Sequence, residues 1–425
     1  MSLAHTALTV LVFVATLALV LKRPRGTHEA LWTTLGALAM LVLGLVTPRD
    51  VVSVAASGKE ALLFLLALLL LSALLEKSGF FEWAAVHAAR AARGDGRALY
   101  RNVFILGALI TAALSLDTTA VILTPLVLAF VRRIRLPARP YVFACAFIAN
   151  TASLPLPVSN LTNLLFASTF NFSFRAYAAR MILPQLIAIA ANYALFRRAF
   201  RDELPPRFDP SVLPDPESVV PHRGYFRAAT AALGVVLIGY FVAPHYGVTP
   251  YAVAFTLAAP LFVYAFASKR ASLTLLRELS WGVFPFVLGL FVVVRAVDKL
   301  GLTELGAAWL TQSHLAAPLD VLVPASATAL ASNLINNLPA ALLARGVLTA
   351  AHAPDPSVYG ALLGADIGPN ITIFGSLATI LVLSEARKKG EDLGGMDILR
   401  VGIRVTPLVL LAASLALSGT YLLVR

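Results

Sequence analysis

The chain has 425 residues, of which 59% are hydrophobic and 13% charged, with a formal net charge of +12 and a mean hydropathy of +0.82. Apolar runs of about 20 residues, each long enough to span a bilayer as a helix, recur from end to end, and the short alternating strands of a β-barrel do not. A single cysteine, Cys145, excludes an internal disulfide framework or thiolate metal cluster, the missing G-x-x-x-x-G-K-[ST] loop excludes a P-loop ATPase, and the basic residues sit in short loops rather than in a nucleic-acid-binding stripe.

The first run, Ala7–Leu21, has no Lys or Arg before it and Lys22, Arg23 and Arg25 after it. That flank is reversed for a cleaved signal and predicts a retained membrane helix. The basic clusters at 22–25, 77–101, 132–139, 197–201, 269–277 and 387–389 are placed in the cytoplasm, which puts both termini outside. His28–Val46 then goes out and Val51–Leu75 returns. Gly79–Arg97 is amphipathic and is expected at the inner surface. Asn102–Val131 has basic residues at both ends, is too long for one crossing and too short for two. It predicts a re-entrant hairpin turning at Leu116–Thr119. Pro140–Ala167 crosses outward, interrupted by Pro155 and Pro157, which remove two backbone donors. Tyr177–Phe196 returns.

Residues 201–227 are polar and carry Pro205, Pro206, Pro210, Pro214 and Pro216, marking a cytoplasmic linker between residues 1–200 and 228–425. The second half repeats the pattern upside down. Ala228–Val242, Tyr251–Ala267 and Trp281–Val297 cross. Val321–Leu348 is a second hairpin, turning near Asn333–Pro339. Tyr359–Leu383 crosses with a break at Gly368–Pro369, and Val401–Leu423 crosses last. The fold class is therefore an all-α polytopic membrane protein of two inverted repeats. Each has five transmembrane helices and one re-entrant hairpin, about 10 spans and 2 hairpins in all, with broken helices at the midplane, the construction of many secondary transporters. "IANTASLPLPVSNL" (Ile148–Leu161) overlays "GADIGPNITIFGSL" (Gly364–Leu377), setting Asn150 against Asp366. In the hairpins Asp117 is set against Asn337, again about 220 residues on.

An unpaired backbone group in hydrocarbon costs several kcal/mol, so four breaks at one depth predict a shared polar cavity. Its expected walls are Asp117, Thr118, Thr119, Asn150, Thr151, Ser153, Ser159, Asn160, Asn163, Ser332, Asn333, Asn336, Asn337, Asp366, Asn370, Thr372 and Ser376. Asp117 is the one charge between Arg101 and Arg132, and Asp366 the one between Asp355 and Glu385. A carboxylate at that depth costs about 2.5–3.5 kcal/mol on insertion scales, which points to ion coupling. Asp117 also stands where the N-cap of Thr118–Val131 is expected. Cys145 reads as a packed small hydrophobe.

"FIANTASLPLPVSNLTNL", "SNLINNLPAAL" and "GADIGPNITIFGSLATILVL" closely resemble the arsenite efflux permeases, the membrane subunit of the arsenical pump, within the ion transporter superfamily. The resemblance covers essentially the whole chain. It implies export of arsenite or antimonite as the neutral trihydroxide, driven by inward proton flow across the inner membrane, and in some relatives docking of a soluble arsenical-pump ATPase. It matches Asp117 to the acid of the first hairpin and Asn337 to its second-half counterpart. This chain departs from the family at three places. Leu116 precedes the acid and Thr118–Thr119 follow it, Asn150 stands where relatives carry an acid, and Asn370 stands where they carry Lys. The last two leave the local charge sum unchanged and are read as the neutral replacement of an ion pair.

With only one cysteine, arsenic carried as a tris-thiolate is excluded, and a hydroxide held by Asn, Ser and Thr is expected. The alternative is a sodium- or proton-coupled carrier of a small anion such as a dicarboxylate, which the half-helix N-termini would also suit. No cofactor or metal is called for. A hydrolase lacks a midplane base, and a passive channel would show rings of charge instead.

Overall fold

The computed structural model describes residues 3–22, 24, 27–204 and 206–422. Arg23, Arg25, Pro205 and Leu423, placed above in a basic cluster, the linker and the last crossing, lie outside the described residues.

In the first half, α1 (Leu3–Lys22), α2 (Glu29–Val42) and α3 (Pro48–Lys77) run as three consecutive spans, followed by the short α4 (Phe80–Arg90). The hairpin enters as α5 (Gly96–Ala113) and returns as α6 (Leu116–Thr118), a π turn (Thr119–Leu123) and α7 (Thr124–Arg133). The broken crossing is α8 (Arg139–Thr151) and α9 (Leu161–Thr169), and α10 (Phe174–Ala199) completes the repeat. In the second half α11 (Arg223–Val242), α12 (Pro250–Ala267), the short α13 (Thr274–Glu278) and α14 (Val283–Asp298) lead to α15 (Leu302–Gln312). The second hairpin is α16 (Leu319–Ile335) and α17 (Asn337–Ala350), the second broken crossing α18 (Asp355–Ile367) and α19 (Leu377–Lys388), and α20 (Gly395–Leu422) ends the fold.

The main packing pairs come as inverted twins. α2 lies on α14 and α12 on α3; α1 lies on α2 and α11 on α12; α8 meets α19 and α18 meets α9. The pairs α3–α14 and α10–α20 are their own twins. This exchange is what a pseudo-twofold axis in the membrane plane requires. The overlay of the two broken crossings holds in the helix ends. Thr151 and Ile367 close the first half-helices, and Leu161 and Leu377 open the second ones, at one constant offset.

The amphipathic stretch expected at Gly79–Arg97 has a second-half counterpart that the expected crossings leave out. The stretch "EKSGFFEW" (Glu76–Trp83) recurs as "DKLGLTEL" (Asp298–Leu305). In both, a left-handed glycine (Gly79, φ 83°; Gly301, φ 86°) turns the chain out of a span into an 11-residue helix, α4 or α15. Glycine is needed there because a Cβ disfavours positive φ.

The same stretches tie α3 to α13 at one end and to the end of α14 at the other. Lys77 pairs with Glu278 at 2.9 Å on the arginine-rich face, and Lys299 pairs with Asp50 at 2.8 Å on the opposite face. Arg295 adds a second cation 3.5 Å from Asp50. Asp50 also closes a capping box with Thr47 at the start of α3.

Residues 201–222 connect the two halves in contact with the first of them, and the helix that follows opens at Arg223. Glu203 pairs with Arg139 at 2.7 Å, and Arg90 donates to the Pro214 carbonyl at 3.0 Å. Leu204, Phe208 and Leu213 are buried. The segment is folded down on α4 and α5.

Two polar cross-ties join the broken crossings. Asn150 Nδ2 donates to Asn370 Oδ1 at 2.8 Å and to Thr379 Oγ1 at 3.0 Å, while Asn370 Nδ2 donates to Thr151 Oγ1 at 2.9 Å. The pseudo-equivalent of Asn150 is Asp366, whose Oδ1 accepts from Asn160 Nδ2 at 2.8 Å and from Thr162 Oγ1 at 3.0 Å. On the far side, α18 reaches α16 through small residues. A Cβ at Gly360 would fall 2.5 Å from the Val321 carbonyl oxygen, and one at Gly364 2.2 Å from that of Ala325. Such close approach drives helix association in lipid, where apolar burial gives no net gain.

Two expectations follow. Asp50→Ala removes a cap and two cationic partners and should lower the stability of detergent-solubilised protein by about 1–2 kcal/mol, whereas Glu278→Ala, an exposed single pair, should cost under about 1 kcal/mol. Thermal unfolding of the two variants side by side checks the order. Asn150→Asp or Asn370→Lys alone places an unpaired charge in a buried bridge and should cost about 3–5 kcal/mol, while the double substitution, with the two charges facing each other, should recover much of it. Equal loss in both singles and the double would reject the charge-pair account.

Candidate functional site

Four helices begin in the interior, and each start needs partners for amides that have no carbonyl ahead of them. At the first hairpin tip Ser115 is extended (φ −171°, ψ 165°) and its Oγ accepts from the Thr118 N–H at 3.2 Å. At the second, Asn336 takes φ 77° and ψ 152°, a region nearly reserved for glycine that costs about 1–3 kcal/mol. Its Oδ1 accepts from the Leu338 N–H at 3.4 Å and its Nδ2 donates to the Phe374 carbonyl at 3.1 Å, which fixes the strained turn. In the two breaks, Asn160 (φ −148°, ψ 142°) and Ser376 (φ −144°, ψ 144°) have the same backbone form. They cap Thr162 N–H at 3.3 Å and Ala378 N–H at 3.2 Å.

All four caps border one cavity of about 70 Å³. Asp117, Ser159, Thr162 and Asn337 join them, and the remaining wall is apolar, from Ala61, Phe64 and Leu65 of α3 and Val283, Phe286 and Val287 of α14. Ser115, Ser159, Asn160, Thr162, Asn336 and Ser376 are each spent on protein hydrogen bonds. Among the described residues no protein hydrogen bond reaches the side chain of Asp117 or of Asn337. These two, one from each hairpin tip, are the polar groups left over for a guest.

Asp117 is not the N-cap anticipated above. Ser115 holds that place, and Asp117 follows it in the first turn of α6. The caps also shift the hairpin overlay by one residue. Ser115 matches Asn336, so Asn337 stands opposite Leu116, and Asp117 stands opposite Leu338. The cavity is doubled in shape and single in charge.

The remaining predicted residues lie around the cavity, not on it. Thr118 faces a second cavity and shares hydrogen bonds with Ser115 and Ser72, at 3.0 Å each. Thr119 opens the π turn and bonds Thr111 at 2.7 Å. Asn150, Thr151 and Asn370 form the buried cross-tie, and Ser153 Oγ donates to the Asn150 carbonyl. Asn333 Nδ2 donates to the Gly368 carbonyl at 2.7 Å, and its Oδ1 accepts from Thr372 N–H at 2.9 Å, fastening the second hairpin to the second break. Asp366 is fully buried behind Asn160, and its Oδ2 has no partner among the described residues. Ser115, Thr162, Phe64 and Phe286 border the cavity and were missed. A serine two before a buried acid was the signal for the first, and the repeat of α3 in α14 for the two phenylalanines.

A cavity of about 180 Å³ continues from Asp117 toward the arginine-rich face, lined by Ser72, Glu76, His28, Glu29 and Glu278. On the opposite face a cavity of about 250 Å³ is lined by Ser53, Ser57, Arg295, Asp298, Thr303 and Arg345. Asp117 borders both the central cavity and the first of these. No residue is shared with the second, and a packed cluster of Phe286, Val287, Leu290, Phe291, Leu338 and Leu342 separates them.

The family model described as Arsenical pump membrane protein matches residues 8–424. The Arsenical pump membrane protein of Escherichia coli strain K12 is 34% identical over 425 residues, covering 96% of this chain and 97% of that protein. The Putative arsenical pump membrane protein of Bacillus subtilis strain 168 is 27% identical, over 94% of this chain and 96% of its own length. Among solved structures, the Alcanivorax borkumensis YdaH transporter shares the fold with a TM-score of 0.61 at 17% identity, covering 87% of this chain and 86% of that one. Inverted repeats, broken spans and a match along nearly the whole chain lead to one assignment: this multi-pass membrane protein belongs to the arsenical pump membrane protein family.

Proposed function

We propose that the chain is a proton-coupled secondary transporter that exports arsenite and antimonite, as neutral trihydroxides, across the inner membrane. The observation that carries this reading is the pair of unspent groups, Asp117 and Asn337, in a cavity otherwise made of satisfied caps and hydrocarbon. A trihydroxide has three O–H donors and several lone pairs. Asp117 accepts one donor, the Asn337 amide both gives and accepts, and the second lone pairs of the cap oxygens take the rest. Cys145 lies in α8 outside this cavity, so thiolate ligation plays no part.

With the arginine-rich face in the cytoplasm, the cavity that reaches Asp117 is the inner vestibule and the apolar cluster is the outer seal. The structure is then the inward-facing state, ready to load. Loaded substrate is carried to the outward-facing state, a proton from outside takes its place on Asp117, and that proton is released inward after the return. Asp366 is the second coupling acid, acting on the cavity through Asn160, which touches both.

The four converging helix starts favour electronegative groups and lend weight to a second reading, a sodium- or proton-coupled carrier of a small anion. The two readings separate in everted vesicles. Acidifying the lumen should drive accumulation of As(III), and Asp117→Asn should reduce it at least ~100-fold, as expected when an interaction of about 3 kcal/mol is lost from the rate-limiting state. Sodium-driven uptake of succinate or citrate, with no As(III) movement, would install the second reading instead.

A further inference from the structure

The apolar wall of the cavity is a repeat of itself. Ala61, Phe64 and Leu65 of α3 correspond to Val283, Phe286 and Val287 of α14 at the constant offset that also relates Gly79 to Gly301. Each span therefore presents one phenylalanine to the same small space, and these two rings are the largest side chains bordering it. Both are buried, at 3% and 5% exposure. The Phe64 ring is backed by Tyr240, with ring centres 5.8 Å apart, and Phe286 packs in the cluster with Val287, Leu290 and Phe291. Neither ring is free to swing aside without displacing a packed neighbour.

The polar wall cannot set the size limit as firmly. Its members answer to hydrogen bonds, and any solute with a hydroxyl can satisfy some of them. The volume is decisive. About 70 Å³ accommodates a few waters at roughly 10–15 Å³ each, far below the 300–1,000 Å³ of ordinary organic-ligand pockets.

We propose that Phe64 and Phe286 are the specificity-determining residues of the transport cycle, a two-ring size filter that admits a trihydroxide and rejects the same centre carrying a carbon substituent. The inference rests on the proposed arsenite reading and adds to it the rule by which substrates are sorted. Two rings at pseudo-equivalent positions keep the filter in place whichever face is open, because the inverted exchange of the repeats carries one ring to the other's place.

The test uses the full chain in everted vesicles with three probes: arsenite, methylarsonous acid and phenylarsonous acid. The wild type should move arsenite only. Phe64→Ala and Phe286→Ala should each move methylarsonous acid at least ~5-fold above empty vesicles, and the double variant should also move the phenyl compound. Arsenite movement by each variant, measured in the same vesicles, is the reference against which its movement of the organic probes is scored. Ala61→Leu, which fills the same space, should abolish arsenite transport at normal membrane abundance. Where an alanine variant does not accumulate, Phe64→Leu and Phe286→Leu serve with methylarsonous acid. Wild-type movement of either organic compound overturns the filter, as do enlarged variants that still move arsenite and nothing more. A wild type that moves no arsenite overturns the functional reading itself, a result told apart from both of these.

Discussion

A helix that starts inside a membrane has backbone amides with nothing to bond to, and oil supplies no water to satisfy them. That constraint organises this protein. Four helices start in the interior, and Ser115, Asn160, Asn336 and Ser376 each turn a side-chain oxygen back onto the following turn. Once the amides are satisfied locally, the four starts can meet around a common space instead of being forced apart by their need for partners. The cavity is a consequence of capping, and the polar residues behind it are what hold the caps in position. Asn163 donates to the Ser153 carbonyl at 2.7 Å, Ser159 to that of Ala112 at 2.7 Å, and Asn336 to that of Phe374.

The second organising fact is how symmetry is broken. Shape, caps and apolar walls are duplicated, but the two acids are not. Asp117 belongs to the first repeat and corresponds to Leu338, while Asp366 belongs to the second and corresponds to Asn150. A fully symmetric pair of carboxylates on one cavity would repel each other in a low dielectric. Dividing them, one on the cavity and one buried behind Asn160, avoids placing them face to face while Asn160 borders the cavity and holds Asp366.

The topology was legible because hydrocarbon permits so few backbones. Basic residues at both ends of a thirty-residue apolar run leave little besides a hairpin, and Pro155 with Pro157, or Gly368 with Pro369, leave little besides a break. The residues that were misplaced share a cause. Hydropathy shows depth in the membrane, not which way a side chain faces, so Asn150, Asn370 and Asp366 were assigned to the cavity wall when they are packed behind it. The cap was placed two residues late because Asp and Ser are both good caps, and only the backbone shows that Ser115 takes the turn. α15 was passed over because Thr303, Glu304 and Gln312 break its apolar stripe, although its resemblance to α4 stood in the sequence. The prolines of the linker were legible, but that it packs through buried Leu204, Phe208 and Leu213 was not.

The charge around the cavity bears on what it can hold. Each helix start carries about half a positive charge, so four of them approach about twice the charge of one carboxylate in magnitude. Asp117 thus sits in a favourable field with no lysine or arginine on the cavity. A dicarboxylate would bring two negative charges beside that carboxylate and exceed what the four starts offset. A small neutral solute with hydroxyl groups leaves the balance as it stands. Its protons turn to Asp117 and its lone pairs to Asn337 and the helix starts. The guest and the proton then compete for the same oxygen atoms of Asp117, and that competition is the simplest physical basis on which the outward passage of one can be tied to the inward passage of the other.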